Sequence, residues 1–479
     1  MQYRQFNKID GRHPWRKAVP DAYIDYAART RHGGRVFYFN FELAKEMGLI
    51  GKRHPDRLNA ALSKAILDTF SLAIIAFEDG TSINVRAYRN LLRPAHLFRL
   101  LKQGQLQKLR SAVDYYIARQ RANGRWPRAA KGEDKYRLFL KQVTRDFARA
   151  VAVFDSEYIF CWLDWDGDNV LMDGAVLDYG SVRQFGLYHH EYRYDDVQRM
   201  STTITEQKNK ARYIVQSFVQ IVDYIVTGRK KGIRHFAGHP ALRSFDEIFD
   251  SSKDALMIHK LGYNEDQRKI ILSHAPLRRV VQRLRKILYL FERVQSRKGA
   301  YRIDEGITAD ALFCVRDILR ELPEHYLSED EDMDAERFID IMKSEYATSR
   351  ETLLTATRRA KIKEYQRLYR RLAAAVAMHE GRAARAVLMG MAERSALINR
   401  YERVTGDAVL YVGERLVNGA EHLDSRTIHE IFRQFVEQQV LRPEFFNIHS
   451  SNAALKKGTR ARRLLSAMLK DVRDLRSGL

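Results

Sequence analysis

Apolar residues recur at three- and four-residue intervals over most of this chain, the spacing that lines one face of an α-helix. The cleanest case is Leu277, Val280, Val281, Leu284, Ile287, Leu288, Phe291 and Val294, with arginines and a lysine between them. A second seam, Ile362, Tyr365, Tyr369 and Leu372, runs through RRAKIKEYQRLYRRL. Each predicts a helix that buries one stripe and solvates the other. Shorter helical runs are expected over Glu42 to Met47, ending at Gly48, and over DRLNAALSKAILDTF. From INVRAYRNLLRPAHLFRLLKQG to Phe154 the pattern is again helical, broken around Asn123 to Gly132 by Gly, Pro and Lys.

One stretch departs from this period. In DWDGDNVLMDGAVLDYG, Asp164 to Gly180, two short apolar runs flank Asp173-Gly174, the commonest signal for a two-residue type I′ hairpin turn. That turn sets Met172 opposite Ala175, Leu171 opposite Val176, Val170 opposite Leu177 and Asn169 opposite Asp178. Two oxygen donors then share one point, and a buried carboxylate needs a cation or a hydrogen-bonded partner. Mg²⁺, or Mn²⁺ in its place, suits such a pair, because it takes few protein oxygens and completes its shell with phosphate and water. Asp168 would stand beside the pair as a proton acceptor. The competing explanation is a purely structural polar turn, since Asp and Asn abound in turns. A calcium loop is disfavoured: counting from Asp164, Ala175 stands where a bidentate Glu belongs and Asn169 where Gly belongs.

A length of 479 residues suggests two or three packed units and a sizeable interior. The acidic loop SEDEDMD, Ser328 to Asp334, marks an expected boundary between residues 81–327 and a helical region, 328–479, with an N-terminal segment at 1–80. Lys and Arg number 83 against 60 acids, a net charge of +23 that favours polyanion partners such as nucleotides, nucleic acid or anionic lipid. Two cysteines, Cys161 and Cys314, are too few for a disulfide framework or a zinc site, which fits a reducing cytoplasm. No signal-peptide pattern opens the chain and no apolar run nears the roughly 20 residues of a membrane span, so a soluble, cytoplasmic protein is expected. Gly-x-Ser-x-Gly, His-Glu-x-x-His and Walker motifs are missing.

DNVLMDGAVLDYG, preceded by YIFCWLDWDG and followed by YRYDDVQRM, resembles the core of the selenoprotein O family, kinase-like protein adenylyltransferases. The Asp-Asn pair, the interval and the Asp-Tyr-Gly all match. The resemblance implies that Asp168 is the catalytic base and that Asn169 and Asp178 bind the metal. VRAYRNLLRPAHLFRLLKQG is similar to the family segment in which two arginines seven positions apart contact the nucleotide, which assigns those contacts to Arg86 and Arg93. FYFNFELAKEMGLI resembles the family's N-terminal Asn-x-x-Leu-Ala-x-x-Leu-Gly element, with Met47 for the second leucine. The likeness is readable through much of residues 1–300.

A departure accompanies these matches. Before Arg86 the family carries a β-rich lobe with a Gly-Asp-Gly-Arg phosphate loop and a Leu-Lys-Gly lysine; here Ala65 to Leu101 contains no lysine and a single glycine, Gly80. It is as though a block of about a hundred residues, the scale of a small domain, had been deleted. The expectation is therefore a mainly α protein with a kinase-like large lobe and a small, buried β-hairpin at a metal site. Its implied activity is transfer of AMP from Mg-ATP to Ser, Thr or Tyr hydroxyls of proteins, slowed by the missing glycine-loop lobe. Two alternatives stand beside it: a non-catalytic, pseudokinase-like remnant, and a basic helical binding module for nucleic acid built on RRAKIKEYQRLYRR and KKGTRARR. Binding to mixed-sequence RNA or DNA that survives 200 mM salt is the sign of the latter.

Overall fold

The computed structural model describes residues 3–6, 15–20, 22, 36, 39–70, 92–122, 124–127, 134–157, 159–161, 167–176, 182–184, 204–291, 313–343, 347–399, 415–420, 423–437 and 456–477. Within them the protein is mainly helical. Helices α1 (Trp15–Ala18), α2 (Phe41–Glu46) and α3 (Ala60–Phe70) open the chain. They are followed by α4 (Pro94–Lys102), α5 (Leu106–Ala122) and α6 (Lys135–Ser156). Two three-residue strands, β1 (Ile159–Cys161) and β2 (Val182–Gln184), pair antiparallel with Phe160 opposite Arg183. Next come α7 (Ile204–Thr227), α8 (Pro240–Lys260), α9 (Glu265–Ser273) and α10 (Ala275–Leu288).

Helix starts follow local chemistry. Asn40 Oδ1 accepts the Leu43 N–H at 2.9 Å, Asp134 Oδ1 accepts that of Tyr136 at 2.9 Å, and Asn264 with Gln267 forms a reciprocal capping box. Pro94 and Pro240 sit in the first turns of α4 and α8, where their missing N–H costs nothing.

α4, α5, α6, α7 and α8 share one apolar cluster, in which α6 packs along α7 and α8. Phe218 of α7 is its aromatic hub, with ring centroids 6.0 Å from Phe139, 5.6 Å from Phe147 and 5.9 Å from Phe98. The N-terminal half of α8 gives Leu242, Phe245 and Phe249 to this cluster, and its C-terminal half gives Met257 and Ile258 to a second. That second cluster holds the predicted stripe from Leu277 to Phe291, its last member Val294 lying outside the described residues, together with α11 (Val315–Ser328), α12 (Ala335–Met342), α13 (Ala356–Glu380) and α14 (Ala384–Ile398). All four residues of the predicted seam, Ile362, Tyr365, Tyr369 and Leu372, are buried there. The loop Ser328 to Asp334 therefore connects α11 and α12 inside a single core: Leu322 and Tyr326 before it pack in the same cluster as Phe338 and Ile339 after it. Its acids cap and solvate a turn, as when Asp334 Oδ1 accepts the Arg337 N–H at 2.7 Å.

Two smaller clusters complete the fold. One gathers Tyr3, Phe6, Phe41 and Leu62; the other joins α15 (Ser425–Glu437) to α16 (Arg460–Ser477) through Ile428, Ile431 and Leu465. They meet at His429, whose Nε2–H donates to the Phe39 carbonyl at 3.2 Å and whose ring stands edge-on to Phe41 at 5.3 Å. Burial lowers the His429 pKa, with the Phe39 carbonyl acting in the opposite sense. A depressed histidine pKa means that the folded state binds fewer protons than the unfolded one, so burial of the neutral His429 ring contributes fully above the ordinary histidine pKa of about 6.5 and its contribution is lost as pH falls through the lower folded-state pKa. Protection factors of the Phe39 to Leu43 amides, corrected for the intrinsic pH dependence of exchange, should fall between pH 7 and 5, and His429→Gln should remove that fall.

Candidate active site

The residues that carry the sequence motif meet the N-terminus of α4. Gly167 makes the approach: its φ is 97°, and a Cβ there would stand 2.9 Å from Pro94 Cβ and 3.0 Å from the Ala95 nitrogen. Only glycine combines that conformation with that proximity. Two backbone hydrogen bonds sew the segments together, from Ala95 N–H to the Gly167 carbonyl at 3.2 Å and from Met172 N–H to the Leu92 carbonyl at 3.0 Å. Asp168 is thereby set beside Arg93. Arg93 Nη1 lies 3.3 Å from Asp168 Oδ1 and donates to the Asp168 backbone carbonyl at 3.4 Å. Both side chains are open to solvent, Arg93 at 37% and Asp168 at 53%. Asn169 follows, half-buried, and Val170, Leu171 and Met172 are fully buried.

The segment does turn at Asp173-Gly174, but not in the expected register. The antiparallel bridge joins Val170 to Val176, Leu171 N–H donates to the Ala175 carbonyl at 2.8 Å, and Gly174 N–H donates back to Leu171 at 2.9 Å. The loop is thus Met172-Asp173-Gly174, three residues rather than two, with Gly174 at φ 79°, a common alternative to the type I′ turn. Val170 accordingly pairs with Val176 and not with Leu177. Tertiary packing favours the longer loop, because it lets Met172 enter the core of α5, α6 and α7. Asp173 serves the turn itself: Oδ1 accepts the Ala175 N–H at 3.2 Å and Oδ2 takes Arg125 Nη1 at 2.7 Å. For this one acid the structural explanation holds. The expected facing of Asn169 and Asp178 depended on the other register, and Asp178, like Arg86, lies outside the described residues.

The underside of the turn rests on α6. A Cβ at Gly174 would come within 2.5 Å of Ala150 Cβ, so Gly174→Ala should lower stability by about 1–3 kcal/mol in urea titration, combining backbone strain with overpacking. Beside it, burial raises the Asp146 pKa against the opposing Arg145 guanidinium, and burial pushes the Tyr116 phenol well above its ordinary range. Arg125 and Asp146 were not legible as site supports: Arg125 falls in the stretch that reads only as a helix break, and its partner is 48 residues away.

Among the described residues no group of three His, Cys, Asp or Glu side chains is arranged to hold a metal. The donors offered between residues 167 and 176 are amide and carboxylate oxygens, with neither imidazole nor thiolate. Such a set fits a hard cation such as Mg²⁺ and not zinc.

Compared with known proteins, residues 77–402 match the family model described as protein adenylyltransferase SelO. That span contains Arg86, Arg93, Asp168, Asn169 and Asp178, omits the N-terminal Asn40 to Gly48 element, and continues about a hundred residues beyond the likeness readable by eye, an extra length on the scale of a small domain. No curated protein matches the chain. No helix among the described residues is long and apolar enough to cross a membrane.

Proposed function

This chain belongs to the protein adenylyltransferase SelO family, and on that premise we propose that it transfers AMP from Mg-ATP to Ser, Thr or Tyr hydroxyls of proteins. The observation that carries this reading is the pairing of a cation with a carboxylate, Arg93 with Asp168, at the first turn of α4, with Asn169 next along the same segment. In this scheme the acceptor hydroxyl oxygen attacks the α-phosphorus, its proton passes to Asp168, and pyrophosphate departs with the electrons of the broken P–O bond. Arg86 and Arg93 offset the phosphate charge. Asn169 and Asp178 would hold Mg²⁺, which when bound supplies positive charge to the phosphate oxygens. The large lobe is taken as kinase-like and as holding these residues, with residues 1–80 as what remains of a small lobe and helices α12 to α14 beyond residue 328 continuing the core that α8, α10 and α11 begin.

A second reading is favoured by one specific feature, the lack of lysine and of a glycine loop between Ala65 and Leu101. Nucleotidyl transfer depends mostly on positioning, and half a clamp positions poorly. A non-catalytic remnant would keep Mg-ATP affinity and lose transfer. Incorporation of labelled AMP into a generic acceptor or the chain itself, with Asp178→Ala as blank, separates the two. Labelling that needs Asp178, slower than in a relative with the glycine loop, is the expected outcome; binding with no labelling would establish the remnant.

A further inference from the structure

Resting on the adenylyl-transfer reading, we propose that Arg93 is an exchangeable clamp, its guanidinium pairing either with Asp168 or with a nucleotide phosphate, so that phosphate binding releases the Asp168 carboxylate. Three features of the contact support exchange. Nη1 serves two Asp168 oxygens at once, at 3.3 and 3.4 Å, both longer than the roughly 2.7–2.9 Å of a tight charge-assisted bond. Both side chains are exposed enough for a phosphate to reach the guanidinium, and an exposed pair of this kind is weakly held.

The backbones of both residues are fixed independently of the ion pair, by the Ala95 to Gly167 and Met172 to Leu92 hydrogen bonds and by the close seat of Gly167 on Pro94. Exchange therefore needs only rotation of the arginine side chain. The planar guanidinium fork accepts phosphate and carboxylate oxygens in the same geometry, so the two anions compete directly.

The clamp makes an unusual demand on the variant Asp168→Asn, which must bind nucleotide more tightly than the unaltered chain while lacking the base. The full chain is titrated calorimetrically with inorganic tripolyphosphate and with Mg-ATP. Asp168→Asn is expected to tighten both by about two- to fivefold, the range of an exposed ion pair, and Arg93→Ala to weaken both. In the Arg93→Ala background the Asp168→Asn effect should vanish, since the competitor then has nothing to release. Equal tightening in both backgrounds would mean general repulsion between Asp168 and phosphate, and would overturn the clamp, as would no tightening. If neither ligand binds any of the four proteins, the adenylyl-transfer reading falls and takes the clamp with it. Binding without coupling removes the clamp alone.

Discussion

Replacing Lys260 with methionine is expected to lower the unfolding free energy by about 3–5 kcal/mol. Lys260 Nζ stands 3.4 Å from Glu157 Oε1, with side chains only 4% and 2% exposed, and also donates to the Ser156 carbonyl at the end of α6. Coulomb attraction in this interior offsets the desolvation of both groups; once the lysine is gone, Glu157 keeps the desolvation without that partner. The pair is embedded in a wider set of charges. Lys253 bonds Asp155, Arg285 Nε reaches Asp254 at 2.9 Å, and Asn399 Nδ2 donates to the Lys260 carbonyl at 2.9 Å. These contacts bind the end of α6, and with it the entry to β1 and the site loop, to α8, α10 and α14. Urea titration of Lys260→Met and of the double variant Lys260→Met/Glu157→Leu tests the account. The double variant should return to the wild-type value or exceed it, because replacing both members of a buried pair by apolar groups of similar volume removes both desolvation costs. A single variant that loses less than about 1 kcal/mol would show that the pair behaves like a surface one.

Asp168→Asn is expected to reduce AMP transfer at saturating Mg-ATP by about 10²–10⁴-fold, the usual contribution of a positioned general base. The amide keeps the shape of the carboxylate and the seat of Gly167 on α4 but cannot accept the hydroxyl proton. Because Arg93 and Asp168 are solvent-exposed, losing their ion pair should cost at most about 1 kcal/mol of stability. A thermal melt close to that of the unaltered chain, measured beside the labelled-AMP assay, separates lost chemistry from lost fold. Combined with tighter nucleotide binding, a low turnover places the defect in the transition state rather than in substrate binding. A transfer rate unchanged in Asp168→Asn would remove Asp168 from the role of base.

Much of the local architecture was legible because helix formation leaves a local mark. The α10 stripe from Leu277 to Phe291, the α13 seam and the end of α5 at Ala122 each lie where a period of 3.6 residues or its interruption predicts them. The family was legible as well, since Asp168, Asn169 and Asp178 stand within eleven residues of one another in a pattern that resembles it, and residues 77–402 match its model. Where the reading went astray, the deciding forces came from elsewhere in the chain. Nothing between Val170 and Val176 reveals that Met172 is wanted in a core built by α5, α6 and α7, so the shorter turn looked favourable. The acidic run at Ser328 looked like a border because local composition carries no trace of Tyr326 and Phe338 sharing a core.

From the sequence alone come the helical periods, the basic surface, the chemical identity of the candidate site and the family to which it points. Those properties depend on residue type and on neighbours a few positions away, which the helix period and motif spacing record directly. The tertiary structure decided the hairpin register, the burial of Glu157 against Lys260, and the pairing of Arg93 with Asp168 across 75 residues. Each depends on how close two distant segments come, and that distance is set by the volume and shape of every side chain packed between them.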